Sequence, residues 1–256
     1  MNAIIVIPAR IGSTRLPRKM LLNETGKTLI QHTWESARQS RLAEEVIVAT
    51  DDPDIRAAVE SFGGRVVMTR ADHQSGSDRV AEVAKQELEA EILVNVQGDE
   101  PEISGQAIDS VIGAIQRDPQ SVVGTLATPI RERERLEDPA VVKVVLDADQ
   151  RALYFSRSPI PYPRRWEDGW LTAEPPTWLQ HIGVYAYRRS FLLEFARLPP
   201  SPHERVESLE QLRILHAGHS IAVNVCDHAC RGIDCRADYD AFVRRVNEQN
   251  RGVGTQ

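Results

Sequence analysis

Short apolar runs alternate with amphipathic stretches through the first half of the chain. The apolar runs are rich in β-branched residues and predict strands at residues 3–7, 45–50, 65–68, 92–96 and 122–127. Helical periodicity between them predicts helices at residues 29–39, 53–62, 78–88 and 107–115. Near-continuous apolar strands separated by helices are typical of a parallel sheet covered on both faces. The pattern therefore predicts an open α/β sheet, which binds ligands at the carboxyl ends of its strands.

The pattern changes after residue 127. Residues 141–146 and 152–156 predict a hairpin around a polar turn, and a Pro- and Trp-rich loop follows at 159–176. The remaining elements are a strand at 182–187, a helix from the capping box at Ser201 to about residue 216, a strand at 221–225 and a helix at 237–247. No linker separates the two halves. We therefore predict one domain over residues 1–256, whose antiparallel second half (about 128–225) extends the sheet of the first (about 1–127).

The composition narrows the functional classes. The 256 residues carry a net charge of −6, whereas proteins that bind nucleic acids concentrate positive charge. Only three cysteines occur, so no disulfide framework is indicated and a reducing compartment is favoured. The first ten residues lack a basic leader, and no apolar run approaches the ~18 residues that span a bilayer. We expect a soluble, cytoplasmic protein that binds neither nucleic acid nor membranes.

The loop after the first predicted strand is strongly basic. Residues 1–19 contain no acidic side chain and four cationic ones, Arg10, Arg15, Arg18 and Lys19. Cations clustered at the carboxyl end of a first strand lie where an α/β sheet binds phosphate groups. A solvated basic loop is the alternative. Residues 24–28 end like a Walker loop, but Leu21 stands where that motif needs a glycine, which excludes a P-loop.

Two further polar loops follow predicted strands. In residues 95–101, Gly98 allows close approach of the backbone and Asp99 offers a carboxylate. This combination suits a hydrated Mg²⁺ that is shared with phosphate oxygens, and a solvent-facing turn is the alternative. The loop at residues 69–79 contains serines and glycine that could contact a ligand, but alone it indicates no particular chemistry.

Longer segments in a fixed order carry a more specific signal. They are IPARIGSTRLPRK, VIVATDD, MTRADHQSGSDR, VNVQGDEP, AVVKVVLD, ALYFSRSPIP, QHIGVYAYR, SLEQLR and GID, and they extend from residue 5 to residue 234. In these segments the sequence resembles the cytidylyltransferases that activate acidic sugars, most closely the CMP-KDO synthetases, where KDO is 3-deoxy-manno-octulosonate. The resemblance implies a Rossmann-like nucleotide-diphospho-sugar transferase fold, in which a mixed, mostly parallel sheet carries an antiparallel hairpin.

The resemblance also implies a reaction and its residues. CTP and KDO would give CMP-KDO and pyrophosphate for lipopolysaccharide biosynthesis, with Mg²⁺ as cofactor and a homodimer formed through the hairpin and second-half strands. The implied catalytic residues are Arg10, Lys19, Asp99 and Asp234, the last two as metal ligands. The implied CTP contacts are Arg10, Ser13, Lys19, Ser75 and Gly76. The implied sugar contacts are Arg15, Gln97, His181, Tyr185, Glu210 and Gln211.

The spacing of several of these residues also allows a purely structural role. His181 and Tyr185 fall on one face of a strand and could be a structural pair. Glu207 and Glu210 lie one helical turn apart and could form a solvated face. The arginines around the Pro-rich loop are either a basic rim or a clamp for the sugar carboxylate: Arg157, Arg164 and Arg165.

Two features near the end of the chain depart from the family pattern. Cys235 and Arg236 stand where the family has Thr-Pro, so Asp234 could cap the last helix instead of holding a metal. Four potential zinc ligands also fall within ten residues, namely Cys226, His228, Cys230 and Cys235. Their spacing is not that of a standard zinc finger, and buried thiols are the favoured interpretation.

Two rival functions stay open at this stage. One is a related specificity, for 8-amino-KDO or a sialic acid, because a single altered sugar contact could change the substrate. The other is a nucleotide-binding regulator whose active site is inactive. The presence of all four implied catalytic residues argues against the second.

Overall fold

A nine-stranded sheet forms the centre of the computed structural model, which describes residues 1–13, 15–227 and 232–253. The strands are β1 (Ala3–Ala9), β2 (Ala43–Thr50), β3 (Arg65–Met68), β4 (Ile92–Asn95), β5 (Ser121–Pro129), β6 (Lys143–Leu146), β7 (Ala152–Ser156), β8 (Leu179–Arg188) and β9 (Ser220–Val225). Seven of them lie in the order β3-β2-β1-β4-β8-β5-β9, while β6 pairs with β7 and β8. One sheet therefore runs through both halves of the chain.

The described residues form helices on both faces of this sheet. They are α1 (Leu29–Ala37), α2 (Pro53–Ser61), α3 (Gly76–Gln86), α4 (Gly105–Arg117), α5 (Arg133–Glu137), α6 (Arg189–Phe195), α7 (Pro202–Glu207), α8 (Gln211–His216) and α9 (Arg236–Val253), with short 3₁₀ helices at Lys19–Leu21 and Asp168–Thr172. Alternate residues of β1 face opposite sides: Ile5 and Ile7 pack with α1, α2 and α4, whereas Ile4 and Val6 lie in the cluster that includes α3, α6 and α8. In the part of the chain described, no helix is both long and apolar enough to cross a membrane.

The strand directions confirm a mixed, mostly parallel α/β sheet. β1 is parallel to β2 and β4, β2 to β3, and β5 to β9. β8 is antiparallel to both of its neighbours, β4 and β5, and the β6–β7 hairpin is attached to it. The second half therefore inserts a reversed strand into the middle of the sheet, besides adding the predicted hairpin beside it.

The single helix predicted from Ser201 to about residue 216 is wrong. Its start is confirmed, since Ser201 and Glu204 form the capping box. Ser208, however, adopts a left-handed conformation with φ of 53° and ends α7, and α8 begins only at Gln211. The break separates α7, which buries no side chain, from α8, which buries Leu212 and Ile214.

The last helix is anchored on the first loop of the chain. Tyr239 and Phe242 of α9 form a small apolar cluster with Leu16, Leu29 and Ile233. The N–H of Ile233 donates to the carbonyl of Asp99 at 2.8 Å. These contacts bring the segment that contains Asp234 to the carboxyl ends of β1 and β4, although it is remote from them in sequence.

Candidate active site

Two of the polar loops meet at one edge of the sheet. β1 and β4 are parallel neighbours, so the loops that follow them lie side by side. A Cβ on Gly98 would lie 3.1 Å from the Met20 sulfur and 3.2 Å from the Pro8 carbonyl oxygen, so glycine allows the close approach. Between the loops opens a cleft of about 520 Å³, the charged cleft, whose polar lining is Arg10, Ser13, Arg15, Lys19, Gln97, Asp99 and Asp234.

Lys19 joins three segments of the charged cleft. Its Nζ donates to Asp99 Oδ2 at 2.5 Å and to the carbonyl of Ile233 at 3.0 Å, and it lies 3.9 Å from Asp234 Oδ1. Its side chain is only 12% exposed, so this ammonium is held in place more firmly than a lysine on a solvated loop. The first basic loop, the loop after β4 and the segment before α9 therefore meet at one point.

Asp234 faces the cleft and does not cap α9. Its Oδ1 accepts a hydrogen bond from the Arg15 guanidinium at 2.7 Å. Asp238, in the first turn of α9, accepts at Oδ2 the N–H groups of the two residues that precede the helix, Cys235 at 2.9 Å and Asp234 at 3.1 Å. Hydrogen bonds from the Cys235 thiol and from these N–H groups lower the pKa of Asp238. A carboxylate in the first turn of α9 therefore holds the segment in which Cys235 and Arg236 replace Thr-Pro.

A second, smaller cleft adjoins the first. It encloses about 150 Å³, shares Pro8, Arg10 and Gln97 with the charged cleft, and is further lined by Ala9, His73, Gln74, Ser75, Gly76 and Arg79. We call it the base cleft. Ser75 caps α3 through a capping box with Asp78, which fixes the loop at the helix start. Two connected clefts, one small and one rich in charge, suit a nucleotide with its base in the first and its phosphates in the second.

The predicted sugar contacts His181 and Tyr185 lie on β8, outside these two clefts. A register shift in β8 leaves their rings on the same side, with centroids 5.4 Å apart. His181 is 9% exposed, and its Nε2 is 3.1 Å from the hydroxyl oxygen of Thr125. Burial lowers the pKa of His181 to about 3, and burial raises that of Tyr185 well above its usual value. Both side chains are therefore neutral near pH 7 and can act only as hydrogen-bonding or packing groups.

The acidic residues of α7 and the following turn do not form a solvated face. Glu207 accepts hydrogen bonds from the Ser156 hydroxyl at 2.7 Å and from the N–H of Arg157 at 2.8 Å. Glu210 accepts one from Ser77 of α3 at 2.6 Å, and burial raises its pKa. Glu210 lines a third cleft with Gln74, Ser75 and Arg213, while Gln211 is buried in α8.

The arginines around the Pro-rich loop differ from one another. The guanidinium of Arg157 donates to the carbonyl oxygens of Glu207 at 2.7 Å and Pro139 at 3.0 Å. Arg164 and Arg165 are exposed. Arg157 is thus a fixed cation beside α7, and the other two lie on the surface.

Sequence reasoning missed two acidic residues beside the clefts. Asp51, after β2, pairs with the buried guanidinium of Arg79 at 2.9 Å. Glu100 has a buried Oε2 without a hydrogen-bond partner among the described residues, and burial, together with the charge of Asp99, raises its pKa to about 8. The GDEP segment contains Glu100, but a carboxylate beside another gives no sign of which one points inward.

The four-residue zinc alternative is not fully covered by the structure. Cys226 and Cys235 are half-buried thiols, whereas His228 and Cys230 lie outside the described residues. Within the described ranges, no group of three or more His, Cys, Asp or Glu side chains is arranged to hold a metal ion. Asp99 and Asp234 alone would leave most of a metal's ligands to substrate and water.

The chain matches a family model. Residues 4–221 match the family described as cytidylyltransferase, which includes β1 to β8 and the start of β9. The match covers most of the chain, so the class of protein is a cytidylyltransferase.

Named relatives define the class further. The chain is 50% identical over 250 residues to the 3-deoxy-manno-octulosonate cytidylyltransferase of Rhodopirellula baltica, covering 97% of this chain and 100% of the relative. It is 50% identical over 220 residues to the Escherichia coli enzyme of that name, covering 86% of each. A solved structure of CMP:2-keto-3-deoxy-manno-octonic acid synthetase complexed with CTP superposes with a TM-score of 0.89 at 44% identity, covering 97% of this chain and all of that one. The chain belongs to the 3-deoxy-manno-octulosonate cytidylyltransferase family.

Proposed function

We propose that this protein activates KDO: it joins CTP and 3-deoxy-manno-octulosonate to give CMP-KDO and pyrophosphate, for lipopolysaccharide biosynthesis. The observation that carries the proposal is the charged cleft, where Lys19, Asp99 and Asp234 converge beside a base-sized cleft. The choice of sugar is supported by relatives that bear this name and match nearly the whole chain.

The cations of the charged cleft would bind the triphosphate. Arg10 lines both clefts, so it lies where the triphosphate of CTP would be joined to the nucleoside. The anomeric hydroxyl oxygen of the sugar attacks the α-phosphorus and its proton passes to solvent. The bond from the α-phosphorus to the α–β bridging oxygen breaks, and pyrophosphate leaves with that oxygen. Arg10 and Lys19 would stabilise the negative charge on that leaving group, with Ser13 beside them. Positioning and charge neutralisation carry most of the barrier for such a transfer, so no covalent intermediate is needed.

We infer that Asp99 and Asp234 would be the protein ligands of Mg²⁺. Lys19 Nζ lies 2.5 Å from an oxygen of Asp99 and 3.9 Å from one of Asp234, so the two carboxylates converge on the same small volume. One or two carboxylates plus phosphate oxygens and water are the usual magnesium ligands. When bound, Mg²⁺ supplies charge neutralisation at the phosphates and lowers the pKa of the attacking hydroxyl.

The sugar acid would lie beside the charged cleft, against Gln97 and the side chains of β8 and α8. Because burial holds His181 neutral, that residue can orient a sugar hydroxyl but cannot balance the carboxylate of the sugar. Arg15, which lines the charged cleft, is the cation among the expected sugar contacts. Glu210 and Gln211 would form hydrogen bonds with further hydroxyls of the sugar.

We further propose that the protein is a cytoplasmic homodimer that contacts no nucleic acid. Leu153 on the β6–β7 hairpin is 59% exposed, and a second copy packed against that hairpin would cover it. The small number of cysteines agrees with a reducing compartment.

The test is pyrophosphate release, with each of four nucleoside triphosphates crossed against KDO, 8-amino-KDO and a sialic acid. The proposal expects release only with CTP, KDO and Mg²⁺ together. Equal turnover with ATP, or full activity in EDTA, would contradict it. Preference for another acid sugar would establish the related specificity, and binding of CTP without any turnover would establish the regulator.

A further inference from the structure

The loop at residues 69–75, which forms one wall of the base cleft, is held by a side chain from the adjoining helix. His73, Gln74 and Ser75 line that cleft. Glu82 lies two turns into α3, on the side of the helix that faces this loop. Its Oε2 accepts the backbone N–H of Arg70 at 3.1 Å and also contacts His73 Nε2. One carboxylate oxygen therefore ties both the beginning and the middle of the loop to the helix.

The charge of the Glu82 carboxylate strengthens its contacts with His73 and Arg70. Burial alone would raise the pKa of Glu82, but hydrogen bonds from His73 and from the backbone of Arg70 outweigh it, so the pKa is lowered. The carboxylate is therefore ionised at neutral pH and accepts only, which requires the proton of His73 to lie on Nε2. The contact fixes the ring orientation and the Nε2 proton of a residue that faces the base cleft. Hydrogen bonds to a charged group are stronger than neutral ones.

The neighbouring ion pair on the same loop shows the contrast. Asp72 accepts a hydrogen bond from Arg70 Nε at 2.9 Å. Both side chains are exposed and lie two residues apart on the same loop, so this pair does not attach the loop to another element. Exposed pairs of this kind contribute little. The bonds of Glu82 instead connect the middle of the loop to α3, in addition to the contact of Thr69 with Arg79 at its start and the Ser75–Asp78 capping box at its end.

We propose that Glu82 is a positioning residue for nucleobase binding: it holds the loop 69–75 and His73 against α3, so that the base cleft exists before CTP arrives. This rests on the proposed use of CTP. Glu82 does not contact the phosphates, since it lies on the base side and the charged cleft is lined by other segments. The loss of Glu82 should thus weaken binding of the base and leave binding of the phosphates intact.

The experiment compares Glu82→Ala and Glu82→Gln with Asp72→Asn as the matched control on the same loop. Glu82→Ala should raise the KM for CTP about tenfold or more, with kcat and the KM for KDO changed by less than about threefold. Its affinity for inorganic tripolyphosphate, measured by calorimetry, should equal that of the wild type. The KM for CTP of Glu82→Gln should lie between those of the wild type and Glu82→Ala, because an amide oxygen can still accept both hydrogen bonds. Asp72→Asn should leave the KM for CTP unchanged.

Three results would overturn the inference. They are an unchanged KM for CTP in Glu82→Ala, an equal loss of affinity for tripolyphosphate, or an equal effect of Asp72→Asn. Should Glu82→Ala fail to fold, Glu82→Gln together with His73→Asn provides the same comparison, and normal CTP binding in both would refute the role. Failure of the proposed function is distinct: the wild-type protein itself would then show no turnover of CTP.

Discussion

The two sides of the site use opposite physical means. The charged cleft is open and its side chains form ion pairs: Lys19 and Arg15 pair with Asp99 and Asp234 across segments remote in sequence. The region we call the buried polar region, His181, Tyr185, Glu210 and Gln211, keeps its histidine and tyrosine neutral through burial. One side is suited to neutralising phosphate charge, and the other to recognising uncharged hydroxyls by shape and hydrogen bonds.

This difference has a consequence for mutations. Removing a charge from the open cleft changes the energy of the charged transition state while the fold remains, because the loop is polar and joined by several contacts. Removing a group from the buried polar region leaves its partner unsatisfied and affects stability as well as binding. The predictions below separate these two kinds of effect.

The largest effect is expected at Lys19. Lys19→Ala should lower turnover by about a hundredfold or more, as expected for a lost charge contact to a leaving group, while the protein stays folded. Lys27→Ala is the control. Lys27 does not line the cleft, and its Nζ forms an exposed ion pair with Glu35 at 2.6 Å. Steady-state pyrophosphate release and circular dichroism check both variants. Near-normal turnover in Lys19→Ala would mean that the basic loop is only solvated.

Asp234 and Asp238 give a matched pair of carboxylates four residues apart. Asp234→Asn should lower turnover about tenfold or more and raise the Mg²⁺ concentration required, because a charged ligand is lost. Asp238→Asn should preserve both, since Asp238 does not line the charged cleft and an amide oxygen can accept the same N–H groups. Magnesium titrations of turnover, and calorimetry of Mg²⁺ with CTP, measure the difference. An unchanged Mg²⁺ requirement in Asp234→Asn would remove this carboxylate from the metal site.

The buried polar region predicts a pH effect on stability. The pKa of His181 is about 3 in the folded protein against an ordinary value of 6.5, so the unfolded chain binds the proton first as pH falls. Its contribution to stability is full above pH 6.5 and is lost as pH falls towards 3. Relative to the wild type, His181→Phe should lessen the pH slope of the unfolding free energy by about 1.4 kcal/mol per pH unit between these limits. Urea unfolding at several pH values measures it; parallel curves for the two proteins would contradict the assignment.

The smallest effect is expected for the proposed dimer, at the surface of the β6–β7 hairpin. Light scattering should give about twice the 28.7 kDa mass of one chain at micromolar concentration. Leu153→Asp should weaken the dimer, because it places a charge on the exposed apolar side chain of the hairpin. Leu88→Asp, at another exposed apolar position, serves as the control. A wild-type monomer would refute the proposed homodimer.

The charged side was the easier one to predict from sequence. Arg10, Lys19 and Asp99 each follow closely on a strand whose apolar run is clear, and parallel neighbours bring their loops to one edge. Asp234 depends on the apolar cluster of α9 with Leu16 and on the hydrogen bond between Ile233 and Asp99. Periodicity could not show that contact, and only the family resemblance indicated it.

The second half was harder because its geometry is not local. Nothing in the run that forms β8 shows that it pairs between β4 and β5, and a serine gives no warning of a left-handed turn at Ser208. The tie between Glu82 and the loop 69–75 also escaped the sequence, since a glutamate in an amphipathic helix is typical of a solvated face. Such contacts depend on how elements dock, not on the residues within them.

The most direct test of the central claim is ³¹P NMR of the complete reaction mixture, with the protein, CTP, KDO and Mg²⁺. The account predicts a new phosphodiester resonance that grows in equal amount with pyrophosphate, and neither signal when KDO is omitted. Pyrophosphate formed without KDO, or CTP left intact in the complete mixture, would contradict it.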